Sequence, residues 1–355
     1  MKNKKLNVLS LFDGNSGGMQ ALDRLEILPE NYFASEIDKW AMAVSKYNYP
    51  DIIQLGDVKN WVNWNLPKID LLIGGSPCQG FSFAGKQLNF EDPRSKLFFE
   101  FVDVLNFYKP RFFMLENVRM KQEYQDIISK QLGVAPIMIN SSLVSAQNRV
   151  RFYWVGKLGG NGKYTQVEIK QPDDRGLVLK DILIDSNEYN VRGAAKRNQV
   201  TKRGVESQLN IRKDFKSNCI VSSWSHKLNG LVEYRPCETR DFKKESLCHH
   251  SGTALDIKGN EAIKRIYSDS GKSPTLTTMG GGHREPKVLC NEDKKPVYRK
   301  LIPLECERLQ TMVDDFTKFG NFDGVVKEIS KTQRLKMIGN GWNINTILHL
   351  YESFL

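Results

Sequence analysis

Short apolar runs alternate with stretches of helical spacing through the first third of the chain. Residues 7–12, 32–35, 52–55, 69–74 and 112–115 read as strands. Helical patterns fall between them, at about 17–25, 38–47, 95–108 and 124–130, and 136–140 and 151–155 read as a closing pair of strands. This alternation predicts an α/β fold with a doubly wound, Rossmann-like sheet. After about Gly159, glycine, asparagine, lysine and serine become frequent and helical periodicity fades. It resumes near Arg299, in 304–312, 331–338 and 344–354. Three parts are therefore expected: a main domain over 1–185, a smaller inserted module over 186–297, and a segment over 298–355 that returns to the first domain.

Composition narrows the class. Of 355 residues, 40% are hydrophobic and 26% charged, as in ordinary globular domains. No apolar run approaches the roughly 18 residues of a membrane span. The basic start, Met1 to Lys5, is followed by a short apolar run that leads into Asp13-Gly14, which reads as a first strand and its turn rather than a signal peptide. The net charge of +11 suggests a polyanionic partner. The inserted module concentrates it, with 21 basic against 13 acidic side chains. Six scattered cysteines without a secretory signal imply a reduced, cytoplasmic setting. Cys237, Cys248, His249 and His250 include metal-ligand residue types, but no C-x-x-C pair accompanies them, and no metal is expected.

Candidate chemistry begins at Gly74-Gly75-Ser76-Pro77-Cys78-Gln79-Gly80. The fourth strand delivers a cysteine on a loop stiffened by Pro77, at the strand end where open α/β sheets place ligands. Alone, the same loop fits an ordinary buried cysteine. The turn Phe12-Asp13-Gly14-Asn15-Ser16-Gly17-Gly18 links a strand to a helix start and allows close backbone approach to a ligand, although a tight structural turn explains it as well. Glu36, just past strand two, stands where this fold type takes ribose hydroxyls, and Asp57, past strand three, can accept from an adenine amine. Either alone fits a helix cap; together they describe an adenosine-type pocket. Glu116 ends the strand next to the Cys78 loop. A thiol beside a carboxylic acid suits conjugate addition to a pyrimidine: attack at C6, a proton or hydrogen bond at N3, and methylation of the C5 that gains electron density. Gln147-Asn148-Arg149-Val150-Arg151 sets alternating arginines on one face of the next strand, a cationic wall that would favour the thiolate. A solvated strand edge is the plain alternative.

With these motifs the chain resembles the cytosine-C5 DNA methyltransferases over nearly its full length. The Phe12 to Gly18 turn, Ser76-Pro77-Cys78-Gln79, Glu116-Asn117-Val118, Gln147 to Arg151, Leu301 to Gln310 and Gly339-Asn340-Gly341-Trp342 match six family motifs in order. Leu11-Phe12-Asp13-Gly14 and Trp342 are similar to the animal de novo enzymes, whereas Gln79 is the residue usual in bacterial and phage members. The resemblance implies S-adenosylmethionine as cofactor, with S-adenosylhomocysteine as product. It assigns Cys78 as nucleophile and Glu116 as the acid at N3. Asn117 buttresses the site, and Arg149 and Arg151 support the base and the Cys78 loop. The cofactor would lie along Phe12, Asp13, Gly14, Asn15, Ser16 and Gly17, Glu36 and Ile37, Asp57 and Val58, Ser76, Leu97, Asn340, Gly341 and Trp342, with Phe12 stacked on adenine.

The inserted module corresponds to the family's target-recognition domain. Its end, Thr275, Thr277, Thr278 and Gly281, together with Gln79 and Ser82, is expected at the DNA, and the stretch 81–94 as a lid over a flipped base. Double-stranded DNA is the implied partner of a monomer in a bacterial cell or phage-infected host, with a companion restriction endonuclease as a second partner and no membrane. A tRNA methyltransferase of the same fold and a silent DNA-binding homologue are the competing readings.

Overall fold

A computed structural model of the chain describes residues 6–76, 93–184, 234–236, 247–254, 257, 259–279, 282–290 and 297–355. Cys78, Gln79, Ser82 and Gly281, the 81–92 part of the expected lid, and most of the expected inserted module lie outside the described residues. No helix among the described residues is long and apolar enough to cross a membrane.

The elements of the main sheet are β1 (Asn7–Leu11), α1 (Gly17–Arg24), β2 (Asn31–Ser35), α2 (Lys39–Asn48), β3 (Ile53–Gln54), β4 (Leu71–Gly74), α3 (Pro93–Tyr108), β5 (Phe112–Val118), α4 (Gln122–Leu132), β6 (Pro136–Asn140), β7 (Val150–Leu158) and β8 (Tyr164–Gln166). Strand order is β3-β2-β1-β4-β5-β7-β6, with β8 added beside β7. β1 to β5 pair in parallel, and β7 runs antiparallel to β5, β6 and β8. This is the expected doubly wound sheet, with the closing antiparallel pair in place. β1 ends one residue earlier than its apolar run, because Phe12 takes a left-handed φ of 58° and turns the chain out of the sheet.

The strands are continuous apolar runs because both faces of the sheet are covered. Alternate residues serve opposite layers. Val8, Leu71, Ile73, Phe112 and Met114 pack with Ala21, Leu22 and Val44 of α1 and α2. Leu9, Leu11, Leu72, Phe113 and Leu115 pack with Phe98, Phe101, Leu105 and Ile128 of α3 and α4. α2 starts at a cap the sequence supplies, where the Asp38 carboxylate accepts from Trp40 N at 3.0 Å.

A second sheet follows: β9 (Tyr234–Pro236), β10 (His250–Ala254), β11 (Arg265–Tyr267), β12 (Lys287–Cys290) and β13 (Val297–Lys300), in the order β13-β12-β11-β10-β9. The chain then forms α5 (Pro303–Leu309), the hairpin β14 (Phe319–Phe322) and β15 (Val325–Glu328), α6 (Lys331–Asn340) and α7 (Ile344–Glu352). α7 returns to the first layer, where Ile344, Ile347 and Leu350 join the core of Ala21 and Leu22. Arg24 Nη1 donates to Asn345 Oδ1 at 2.7 Å across the same contact. Buried ion pairs tie α5 to β13, Arg299 with Glu305 at 2.6 Å, and to α6, Arg334 with Glu307 at 2.9 Å.

One close approach makes the packing of the sheet testable. Gly156 of β7 faces Phe113, whose ring is fully buried and packs edge-on to Tyr164 at 4.8 Å between centroids. A methyl on Gly156 would overlap that ring. Gly156→Ala is expected to cost about 1–3 kcal/mol of stability, read as a lower denaturation midpoint.

Candidate active site

The strand order reverses between β2 and β4, on either side of β1, and the carboxyl ends of β1 and β4 therefore open onto one crevice. The register pairs Gly74 with Leu115. Gly75, the first residue past β4, thus meets Glu116, the next residue along β5. A Cβ on Gly75 would lie 2.9 Å from Glu116 Oε2 and 3.0 Å from Trp342 Nε1, so any residue but glycine here would push on the Glu116 and Trp342 side chains. Glu116 is 9% exposed. Trp342 Nε1 donates to its Oε2 at 3.3 Å. Arg151 Nε stands 2.8 Å from Oε1, close enough for an ion pair but off the line a hydrogen bond requires. Beside it, Asn117 Nδ2 donates to Ser76 Oγ at 3.2 Å, while Asn117 Oδ1 accepts from Val118 N. Asn117 thereby ties β5 to the chain leading toward Pro77 and Cys78.

The two arginines do not form one wall. Arg149 precedes β7, Arg151 lies within it opposite Val118, and their side chains serve different partners. Arg151 pairs with Glu116. Arg149, 3% exposed, donates to the carbonyls of Leu276 at 3.3 Å, Gly339 at 3.5 Å and Gly341 at 2.8 Å. It joins three distant stretches of chain beneath Trp342. Gln147, read as part of the same motif, is fully buried and bridges Ser273 through its backbone.

The threonine segment is stitched to this body. Ser273 N donates to Ala146 O, Asn148 N to Ser273 O, and Thr275 Oγ1 to Asn148 O at 2.6 Å. Leu276 and Met279 are buried, Thr277 is exposed and Thr278 half-buried. Lys272 anchors the start of the segment, its ammonium buried and donating to the carbonyls of Ser142 at 2.6 Å, Ser145 at 3.2 Å and Leu177 at 2.6 Å. Sequence reasoning missed Lys272, and no local pattern marks it. It also missed the role of Gln310, which is fully buried and donates to the carbonyls of Ile338 and Gly341.

On the other side of β1, the turn 12–16 holds three left-handed residues, Phe12, Gly14 and Ser16, at φ 58–59°. Such geometry costs a non-glycine residue about 1–2 kcal/mol, so Phe12 and Ser16 are held there by neighbours. Gly14 N donates to Glu36 Oε2 at 2.8 Å, and Ile37 N and Asp38 N donate to Glu36 Oε1. Asp57 accepts from Lys59 N at 3.1 Å and starts a short 3-10 turn at Val58. Ile37 is 73% exposed and Phe12 is half-buried. Phe12, Glu36 with Ile37, and Asp57 thus follow the carboxyl ends of β1, β2 and β3, and these residue types fit an adenosine-type group. Asn15 is buried, and a Cβ at Gly17 would touch Trp342 at 3.5 Å, which brings the turn against the far side of the crevice. Asn340 is exposed at the end of α6, and Leu97 is half-buried on α3. Asp13 points inward, into the core. Among the described residues no group of three or more His, Cys, Asp or Glu side chains could hold a metal.

Comparison with known proteins adds the following. Residues 6–354 match the model of the C-5 cytosine-specific DNA methylase family. The chain is 31% identical to the orphan methyltransferase M.Rho11sI of Bacillus phage rho11s, over 80% of this chain and 69% of that one. It is 28% identical to the type II methyltransferase M.BanI of Aneurinibacillus aneurinilyticus, over 94% of each. Among solved structures, the methyltransferase EhMeth of Entamoeba histolytica superposes with a TM-score of 0.61 over 99% of this chain and 98% of that one, at 16% identity, which speaks to the fold alone.

The tightest point in the site is Gly339, where a methyl would overlap the Thr277 carbonyl oxygen. The atoms it would meet all belong to the Thr277–Thr278 backbone, which does not yield as a side chain would. Gly339→Ala is expected to cost about 2–3 kcal/mol and to loosen the Arg149 contacts, measured by chemical denaturation alongside hydrogen exchange at 276–278.

Proposed function

The chain belongs to the C-5 cytosine-specific DNA methylases, and from that premise we propose that it methylates C5 of a cytosine flipped out of a specific duplex DNA sequence. The observation that carries this reading is the setting of Glu116: a nearly buried carboxyl between Arg151 and Trp342, against the glycine that begins the Cys78 loop. The proposed division of labour keeps catalysis in 1–185 and 298–355 and recognition in 186–297, whose basic excess suits DNA phosphates.

Four roles follow. The Cys78 thiolate adds to C6 of the cytosine, and the ring's electron pair moves toward C5 while N3 takes a proton or hydrogen bond from Glu116. Arg151 fixes the Glu116 carboxyl from one side and Trp342 from the other. S-adenosylmethionine, when bound, supplies an electrophilic methyl group to C5 and is left as S-adenosylhomocysteine. Solvent water then takes the C5 proton as base, the C5–H pair re-forms the C5–C6 double bond, the C6–S bond breaks with Cys78 leaving as thiolate, and N3 returns any proton it took to Glu116. Phe12, Ile37, Glu36 and Asp57 are the residues that would hold the adenosine end, with Gly341 and Trp342 at the other. Thr277 and Thr278 are proposed to face the DNA, in keeping with their position on the exposed side of the stitched segment. We place the enzyme in a bacterial cell or phage-infected host.

Methyl transfer from labelled S-adenosylmethionine should appear in duplex DNA and not in tRNA, and bisulfite sequencing should locate it at one short sequence. Labelling of tRNA alone would replace DNA by RNA as the substrate. Cys78→Ser should abolish the covalent complex with 5-fluorocytosine DNA, and retained trapping would refute the nucleophile. Glu116→Gln should slow transfer by about 10²–10⁴-fold.

A further inference from the structure

Beneath the cofactor turn lies a buried chain of polar groups that the proposed reaction does not use. Asp13 is 8% exposed, and Ser10, Ser16 and Ser45 are fully buried around it. Ser16 Oγ lies 2.6 Å from Asp13 Oδ2, and Tyr32 OH donates to Asp13 Oδ1 at 2.8 Å. Ser16 Oγ is also 2.5 Å from Ser45 Oγ, which receives Gln54 Nε2 at 3.3 Å. The Gln54 amide donates to Ser45, so the Ser45 hydroxyl can donate to Ser16 and that of Ser16 to Asp13. A run of donors pointing one way needs a pure acceptor at its end, and an ionised carboxylate is one.

We infer that Asp13 is a positioning residue: its ionised carboxylate, through Ser16 and Tyr32, holds the turn 12–16 in the left-handed shape that receives the cofactor. The inference rests on the cofactor reading above and assigns Asp13 a place behind the pocket, not in contact with the ligand. Ser16 is the first link, because it stands at the start of α1 at φ 59° with its side chain spent on Asp13 and not on a helix cap. Glu36 holds the tip of the same turn through Gly14 N. The turn is thus pulled down by one carboxylate and outward by another.

This arrangement is sensitive to protonation. Burial pushes the Asp13 carboxyl up to about 6, against the favourable hydroxyls of Ser10, Ser16 and Tyr32, and the Glu36 charge adds to the rise. Ser10 Oγ favours the charged form without making a hydrogen bond of good geometry. The other titratable groups facing Asp13 are Tyr32 of β2 and Tyr351 of α7, both held well above the ordinary tyrosine range by burial and by the Asp13 charge. Neither titrates where Asp13 does. A carboxyl whose folded value exceeds its unfolded one adds stability below about 3.8, and loses it as pH rises through about 6. Ligand binding and global stability therefore pull in opposite directions: the ionised form shapes the turn, the protonated form suits the core.

The test is calorimetric titration of S-adenosylhomocysteine into the full chain between about pH 5 and pH 8, with thermal melting alongside. Wild type should bind at the upper end and lose affinity below about pH 6, by up to about tenfold per pH unit. Asp13→Asn should bind about tenfold more weakly at about pH 8, with a flat pH profile and a melting temperature no lower than wild type. Tyr32→Phe removes one donor to the carboxylate, so its loss of affinity should begin at a higher pH. Failure of wild type to bind at all overturns the cofactor reading, and this inference with it. Wild-type binding matched by Asp13→Asn in affinity and pH profile overturns the role of Asp13 alone. So does a Tyr32→Phe profile that does not move, and so does an Asp13→Asn protein that binds weakly only because it has lost stability.

Discussion

Arg149 carries a guanidinium into a place that is 3% exposed, where it donates to backbone carbonyls. The carbonyls of Leu276, Gly339 and Gly341 come from stretches up to 192 residues away in the chain. A buried charge without such partners is severely penalised, so the contact is hard to break piecemeal. Its geometry requires the threonine segment to cross α6 at a glycine, because any Cβ at position 339 would overlap Thr277. Gly341, held by the same guanidinium and by Gln310, sets where Trp342 begins, and Trp342 donates to Glu116. The candidate acid is thus oriented directly by Arg151 and Trp342, and Arg149 helps to place the chain from which Trp342 comes.

The two sides of the crevice use different means to the same end. On the Glu116 side, Arg149 holds backbone carbonyls, and Asn117 holds the Ser76 hydroxyl. On the turn side, carboxylates hold a strained backbone, with Asp13 below and Glu36 at the tip. Strain of this kind persists only where surrounding contacts over-determine it. β2 supplies those contacts, with Ser35 O accepting from Asp13 N, and α2 adds Ser45.

Much of the main domain is legible in the sequence. Leu71-Leu72-Ile73 and Phe112 to Leu115 are continuous apolar runs because helices cover both sheet faces, and length with flanking glycine separates them from helices. The hairpin β14–β15 is not among the expected elements. All four residues of β15 are exposed, so no alternation marks it. Its apolar contacts, Phe322 on Trp40 and Phe319 on Tyr47, are made with a helix far earlier in the chain. The local trace that does exist is the turn pair Asp323-Gly324, both at positive φ. At the site, Glu116 and Asn117 are legible as a strand end, whereas Lys272 and Gln310 are polar side chains spent on remote carbonyls, which leaves no pattern along the chain.

By itself the sequence determined which chemical groups stand at strand ends, and in what order: a carboxyl at 116, a glycine at 75, acids at 13, 36 and 57, and arginines at 149 and 151. These are local facts, set by residue type and by the period of the flanking apolar run. Partnership was decided only by the tertiary structure. The antiparallel register that sets Arg151 opposite Val118 gives Glu116 to Arg151 and leaves Arg149 to the carbonyls of the returning chain. Asp13 turns from the pocket into the core because Tyr32 and Ser16 wait there as donors. Hydrogen bonds and ion pairs act over a few ångströms in space, whatever the distance along the chain, and the choice among equally charged residues is made by the packing that brings one of them within reach.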